Sequence, residues 1–361
     1  MSPLLLNTDE AAIRFLQRLV EIPSLSGEET AVAHFLVQQM NQSGFNAHVD
    51  AAGNAVGQRS YPDANGQITQ EIVLLGHMDT VPGEIPVRQE NGRLYGRGTV
   101  DAKGPLATFI VAASRAKLPP GTRLIVVGAV EEEAATSKGA RHVASQLQPD
   151  LCIIGEPSGW DGITLGYKGR LLIDACFAQP MSHTAGAETG TAELGLAWYN
   201  ELQRFIAQFN ADKSRLFDQL LPSVRELHTS SDGLENRLEM KLGIRLPPNF
   251  DVAEFENWLR EAGGKVGTIR AYGHETAVQS KRTDLLAQAF NRAIRQAGSV
   301  PSYKLKTGTS DMNVVDPIWN CPIVAYGPGD SSLDHTPNEH IIIEEFLQAI
   351  EILQTVLNNP G

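Results

Sequence analysis

Three stretches of the chain are apolar without alternation, and each runs straight into polar, reactive residues. Ile72-Val73-Leu74-Leu75 stops at Gly76 and delivers His77 and Asp79. The run 124–130 stops at Glu131-Glu132-Glu133, and Leu151-Cys152-Ile153-Ile154 stops at Gly155-Glu156-Pro157. Unbroken apolar runs of this length read as strands buried on both faces of a parallel sheet.

Segments of helical period lie between them. Thr8-Asp9-Glu10 opens a helix with acid at its positive end, and Ile13, Leu16 and Val20 form its stripe. Ser26-Gly27-Glu28-Glu29 reads as a capping box for a second helix lined by Val32, Phe35, Leu36 and Met40 and closed by Gly44. Short strands are expected at 45–49 and 54–58, and helices at 106–116 and 138–147. Strand and helix alternate in this way up to Glu156, which predicts a parallel sheet covered on both faces.

Beyond Trp160 the texture changes. Strands at 163–165 and 171–177, a helix at 188–209, a strand at 238–246, a helix at 252–262 and a strand at 266–272 suit a small two-layer α+β unit. From Lys281 the first texture returns, with a helix to 297, strands at 303–306 and 323–326, a loop at 307–313 between them, and a closing helix at 344–357. The predicted class is therefore α/β. A discontinuous catalytic domain, 1–162 and 277–361, carries an inserted domain at 163–276, in accord with a length of 361 residues that one core rarely serves.

Charge and cysteine content narrow the function classes. A net charge of -12 argues against nucleic acid as the main partner. Three cysteines, Cys152, Cys176 and Cys321, lack the paired spacing of a disulfide framework or a zinc knuckle and fit a reducing cytoplasm. Residues 1–10 lack the basic and apolar regions of a signal peptide, and no run reaches the roughly 18 apolar residues of a membrane span. A soluble cytoplasmic protein is expected.

The acids at strand ends carry the chemistry. The loop Gly96-Arg97-Gly98-Thr99-Val100-Asp101 superficially suggests a dinucleotide fingerprint, but its third glycine would fall on Asp101, which excludes that class of oxidoreductase. His335 follows the last buried strand. Two histidines, His77 and His335, and at least three acids, Asp101, Glu131 or Glu132, and Glu156, can meet at one sheet edge. Carboxylates so crowded repel one another unless a cation joins them. Imidazole and carboxylate together suit zinc, cobalt or manganese, and the surplus over one tetrahedral ion points to two ions sharing an aspartate. Such a centre hydrolyses amides, with a free glutamate carrying the proton from water to the leaving amine. His34, His48, His142, His228, His274 and His340 have no ligand spacing.

Five motifs in order, Gly76-His-Met-Asp-Thr-Val-Pro82, Gly96-Arg-Gly-Thr-Val-Asp-Ala-Lys-Gly104, the glutamate pair, Gly155-Glu-Pro157 and His335-Thr-Pro-Asn-Glu339, together resemble the dinuclear zinc aminoacylase and carboxypeptidase family. That family includes acetylornithine deacetylase, succinyl-diaminopimelate desuccinylase and glutamate carboxypeptidase. The resemblance implies that His77, Asp101 and Glu156 hold one ion and that Asp101, Glu132 and His335 hold the other. It further implies that Asp79 orients His77 and that Glu131 is the base. Because three glutamates stand where members often have two, the register could instead be Glu132 as base and Glu133 as ligand; the first pair is preferred here because it follows the strand directly.

The insert resembles the family's lid, which often forms a homodimer contact. His183, in Met181-Ser-His-Thr184, falls where a lid histidine steadies the oxyanion. Arg245 matches an arginine that grips a substrate carboxylate, although a surface strand arginine fits equally well. Asn236, Thr309 and Ser310 are weaker substrate candidates. The detail around 81–88, 100–105 and 131–141 is most similar to the branch that releases lysine, or ornithine, from the carboxy-terminal glutamate of an acidic LysW-type amino-group carrier protein, in lysine or arginine biosynthesis. An acidic carrier would need a basic patch on this enzyme, for which Lys138 with Arg141, or Lys168 with Arg170, are candidates. Acetylornithine or acetylcitrulline deacetylation is the alternative. A catalytically inactive relative would be expected to lack a ligand or the base, and here every position is filled.

Overall fold

The structure, a computed structural model, describes residues 6–183, 188–264 and 267–360. The expectations for residues 1–5, for Thr184 and for a strand beginning at Val266 lie outside the described residues. The chain divides into two compact units: 1–166 with 279–305 and 310–361, and 167–278 with 306–309.

The first unit is built on a nine-stranded sheet. Its four central strands, Thr122–Ala129, Gln70–His77, Leu151–Gly155 and Ile323–Tyr326, are neighbours in that order and mutually parallel. Ala55–Tyr61 and then Asn46–Val49 extend one side antiparallel. Gly162–Tyr167 joins the other side antiparallel, with the short strands Val278–Gln279 and Ser302–Lys306. The central strands are buried almost end to end, which is why their sequences do not alternate. A single apolar cluster joins these strands to the helices Asp9–Val20, Thr30–Gln42, Lys103–Arg115, Leu285–Gln296 and Ile343–Asn358.

The second unit is a four-stranded antiparallel sheet in the order Leu221–Ser231, Glu235–Leu246, Gly169–Pro180, Gly267–Glu275. The helices Thr191–Asn210 and Val252–Gly263 supply Trp198, Leu202, Ile206, Phe255 and Leu259 to its core. This is the two-layer α+β arrangement that the sequence leads one to expect.

Three local expectations differ from the structure. Ser26 and Glu29 do not cap the helix Thr30–Gln42, which has no side-chain cap. Ser26 instead donates to Asp79, 2.7 Å away, and Glu29 accepts the backbone N–H of Glu131 at 3.0 Å. Tertiary partners have taken both members of the box. The stretch expected as a loop through Asn313 contains the start of a helix, Asp311–Trp319, closed at its front by a true capping box of Ser310 and Asn313. An eleven-residue strand, Leu221–Ser231, was not foreseen because it is an exposed edge with little apolar alternation. No helix among the described residues is long and apolar enough to cross a membrane.

The loop bearing Asp101 rests on the helix Lys103–Arg115 at Gly104, where an added Cβ would stand 2.2 Å from the carbonyl oxygen of Thr99 and 3.0 Å from Ile341 Cδ1. Alanine favours helix by about 1 kcal/mol over glycine. Overpacking against backbone costs about 1–3 kcal/mol. Gly104→Ala is therefore expected to lower the unfolding free energy by up to about 2 kcal/mol in a denaturant titration; a stabilised variant would contradict the close approach.

Candidate metal centre

Four adjacent parallel strands end on one edge of the sheet, and each sends a loop to the same place. That edge is where open α/β sheets gather their functional groups. His77 is the last residue of its strand, Glu131 to Glu133 follow the strand Thr122–Ala129, Glu156 follows Leu151–Gly155, and His335 lies in the loop after Ile323–Tyr326. Asp101 comes from the glycine-rich loop ahead of Lys103–Arg115; its peptide to Ala102 is cis.

Among the described residues three groups of donors result, each with ligand atoms within 4.8 Å of one another: His77, Asp101 and Glu156; His77, Glu132 and Glu133; Asp101, Glu133 and His335. Asp101 turns a different oxygen to each imidazole, with Oδ1 3.2 Å from His77 Nε2 and Oδ2 3.0 Å from His335 Nε2. A carboxylate so placed is suited to bridge two ions. Glu133 Oε1 is 3.0 Å from His335 Nε2, whereas Glu132 Oε2 stands 4.0 Å from His77 Nε2, beyond hydrogen-bond reach.

The donor groups contain the second and third glutamates of the run, whereas the sequence reading prefers the first two. Glu131 has a positive φ of 58°, and its carboxylate leaves the cluster to accept the Thr136 hydroxyl at 2.7 Å and to lie 3.5 Å from Lys138 Nζ. The reversal at Glu131 points the next two backbone N–H groups at one acceptor, Asp79. Asp79 Oδ1 accepts Glu132 N–H at 3.1 Å, and Oδ2 accepts Glu133 N–H at 3.0 Å together with the Ser26 hydroxyl at 2.7 Å. Its Oδ1 is also 3.3 Å from His77 Nδ1, leaving Nε2 for the centre. Asp79 thus contacts the His77 ring and the backbone of both glutamates.

The electrostatics of this cluster are those of a site short of positive charge. Burial opposes charge on His77, yet Asp101 and Asp79 raise its pKa well above the ordinary imidazole value. His335 is pushed up to about 10 by its hydrogen bonds to Asp101 and Glu133. Burial also works against ionised Asp101, but His335 and His77 outweigh it and hold that carboxyl well below the usual range. Glu132 is raised well above its ordinary value by burial, and the charges of Glu156 and Asp311 add to this. Glu133 is raised, first by burial. Crowded carboxylates raise both imidazoles, and two imidazoles with buried carboxylates around Asp101 fit a pair of divalent ions.

Several supporting residues are invisible to spacing rules. Glu29 and Glu339 are buried acids that accept backbone N–H groups of Glu131 and of Val100 and Asp101. Asp311 is buried at the first turn of its helix and adds its charge to Glu132. The only sequence signal for Glu133 was the length of the glutamate run.

The weaker candidates divide between the units. Ser310 belongs to the first unit, where its hydroxyl accepts Met312 N–H at 3.2 Å, so capping occupies it. In the second unit Arg245 donates to Thr309 Oγ1 at 2.9 Å, and the Asn236 carbonyl accepts from Thr191 at 3.4 Å. His183 is exposed. Lys168 is buried and donates to the carbonyls of Phe217, Leu216 and Gln219, and Arg170 lies against Glu275 and the Gly273 carbonyl. This pair faces inward and cannot form the basic patch considered for it. Lys138 and Arg141 are exposed.

Comparison with known proteins places the chain in a family. The sequence profile described as Peptidase family M20/M25/M40 matches residues 73–359. A protein named [LysW]-lysine hydrolase from Deinococcus radiodurans is 46% identical over 357 residues, 96% of each chain. A Pyrococcus furiosus protein named putative [LysW]-lysine/[LysW]-ornithine hydrolase is 40% identical over 350 residues, covering 96% of this chain and 97% of its own. Among solved structures, the M20 family metallo-carboxypeptidase Sso-CP2 from Sulfolobus solfataricus superposes with a TM-score of 0.72 at 20% identity, covering 96% of this chain and 98% of its own, and shares the fold.

An imidazole must be neutral to bind a metal, so capture of divalent ions by the metal-free chain displaces the protons on His335 and His77. His335 keeps its proton up to about pH 10, so apparent affinity must rise with pH below that point. The expected gain is about tenfold per pH unit for each proton displaced. Calorimetry in buffers of different ionisation enthalpy counts those protons, and affinity that is flat with pH would contradict the charge distribution.

Proposed function

This chain belongs to peptidase family M20/M25/M40 and is a metal-dependent hydrolase, and on that premise we propose that it releases lysine, or ornithine, from the carboxy-terminal glutamate of an acidic LysW-type carrier protein. The observation that carries the substrate is the 46% identity, along 96% of the chain, to a protein named for that reaction. The exposed pair Lys138 and Arg141, on the helix that follows the glutamate run, supports docking of an acidic partner. A free acetylated amino acid would have no use for it. The pathway would place the enzyme in the cytoplasm.

The reaction follows from the placement of the side chains. Two bound divalent ions, in our reading zinc with cobalt as a substitute, supply the charge that polarises an amide carbonyl and acidifies a water. We assign His77, Asp101 and Glu156 to one ion and Asp101, Glu133 and His335 to the other. Glu132 Oε2 stands 4.0 Å from His77 Nε2, and burial raises the Glu132 pKa, which suits a group that must both take and return a proton. It is the base in this assignment, in place of Glu131. Asp79 keeps the His77 ring and the Glu132 backbone fixed while the proton moves.

The second unit serves as the lid in this proposal. Its Arg245 presents a guanidinium fork for a substrate carboxylate, with Thr309 holding the fork, and His183 would steady the oxyanion. Leu221–Ser231 is an edge strand with Val224 and Leu227 exposed, which supports a homodimer formed through the lid.

Two measurements test this reading. Purified enzyme loaded with zinc is expected to turn over carrier-linked lysine with a kcat/KM at least about tenfold above that for acetylornithine, and to lose that preference when Lys138 and Arg141 are both changed to glutamate. Faster turnover of acetylornithine would favour a small-molecule deacylase. Glu132→Gln is expected to lower kcat roughly 100-fold to 10,000-fold. Glu131→Gln should retain most activity, and the reverse order of losses would restore the other register.

A further inference from the structure

Glu339 is fully buried, and the hydrolysis described above gives it no chemical task. Its Oε1 accepts the backbone N–H of Val100 at 2.9 Å and that of Asp101 at 3.1 Å. The other oxygen, Oε2, takes a hydrogen bond of 2.8 Å from Arg97. Arg97 in turn donates through Nε to the Gly83 carbonyl at 3.0 Å and reaches the Thr336 carbonyl at 3.4 Å. One buried ion pair therefore ties together three loops: the one that follows Asp79, the one that ends in Asp101 and the one that carries His335.

A buried ion pair is a poor source of stability, because desolvation offsets most of its attraction. Its value lies in geometry, and here the geometry is specific. The N–H groups it fixes belong to Asp101 and its predecessor, the backbone from which the shared carboxylate is aimed. The two ends of the cluster differ in how firmly they are held. His77 ends a buried strand and is braced by Asp79. His335 is half exposed, with a φ of 60°, in a loop that Arg97 and Glu339 fasten.

We propose that Arg97 and Glu339 form a positioning pair that sets Asp101 relative to His335, and with it the affinity of the Asp101, Glu133 and His335 group for its ion. This inference rests on the metal-centre assignment above and adds to it a determinant outside the ligands. Loss of the pair should weaken that group more than the one built on His77 and Glu156.

The test is calorimetric titration of the metal-stripped full chain with zinc, with the thermal midpoint of the metal-free protein recorded for each variant. Because Glu339→Gln alone leaves a buried guanidinium without its counter-charge, the double variant Arg97→Gln with Glu339→Gln is run beside it. Wild type is expected to bind two ions. Both variants should keep the affinity of one ion within about threefold and lose about tenfold to 100-fold on the other, the range seen when partners of metal ligands are removed. With zinc at a fixed level, kcat should fall while KM changes little. Unchanged affinity at both sites in a folded variant would overturn the proposal, as would equal losses at both sites that track a lowered thermal midpoint. Wild type binding fewer than two ions would instead remove the metal-centre reading beneath it.

Discussion

The carboxylate of Asp79 is the point on which the site depends. It is buried and receives the N–H groups of two consecutive glutamates, a serine hydroxyl and a histidine ring. Those donors hold its pKa below the ordinary value against the effect of burial. The bonds reach three elements at once: the turn after one strand, the segment before the second helix and the ring at the end of its own strand. An alanine there would leave several buried donors unsatisfied at once, each costing about 1–3 kcal/mol.

Around this anchor the fold does a simple thing. Four parallel strands bring their carboxyl ends to one edge, and the loops that leave them carry acid. Acid so concentrated is unfavourable unless neutralised, and the raised pKa values of the two imidazoles favour their charged form to do it. Divalent cations would do it better, and Asp101, facing both imidazoles, is placed to be shared. The second unit has a smaller sheet with its own core, and there Arg245 donates to Thr309.

Much of this was legible in the sequence. Unbroken apolar runs located the four central strands, since a strand covered on both faces has no reason to alternate. His77 and Glu156 stand at the ends of two of them, Asp101 in the glycine-rich loop ahead of a helix and His335 in the loop after the last. What the sequence withheld were choices made by tertiary contacts. Glu131 and Glu133 are chemically identical, and only the backbone reversal at Glu131 sends one outward and the other inward. Ser26 and Glu29 have the spacing of a capping box, but Asp79 and the Glu131 amide compete for them and win. Lys168 reads as a surface charge until the carbonyls that surround it are seen. The strand Leu221–Ser231 was missed because an edge exposed on both faces carries no burial pattern to read.

The central claim is that one aspartate joins two ions, with the second and third glutamates of the run, not the first, beside them. Anomalous diffraction from crystals of the zinc-loaded protein addresses it most directly. The account predicts two peaks roughly 3.5–4 Å apart, flanking Asp101, one beside His77 and Glu156 and the other beside Glu133 and His335. A single peak, or a second peak at Glu131, would contradict it.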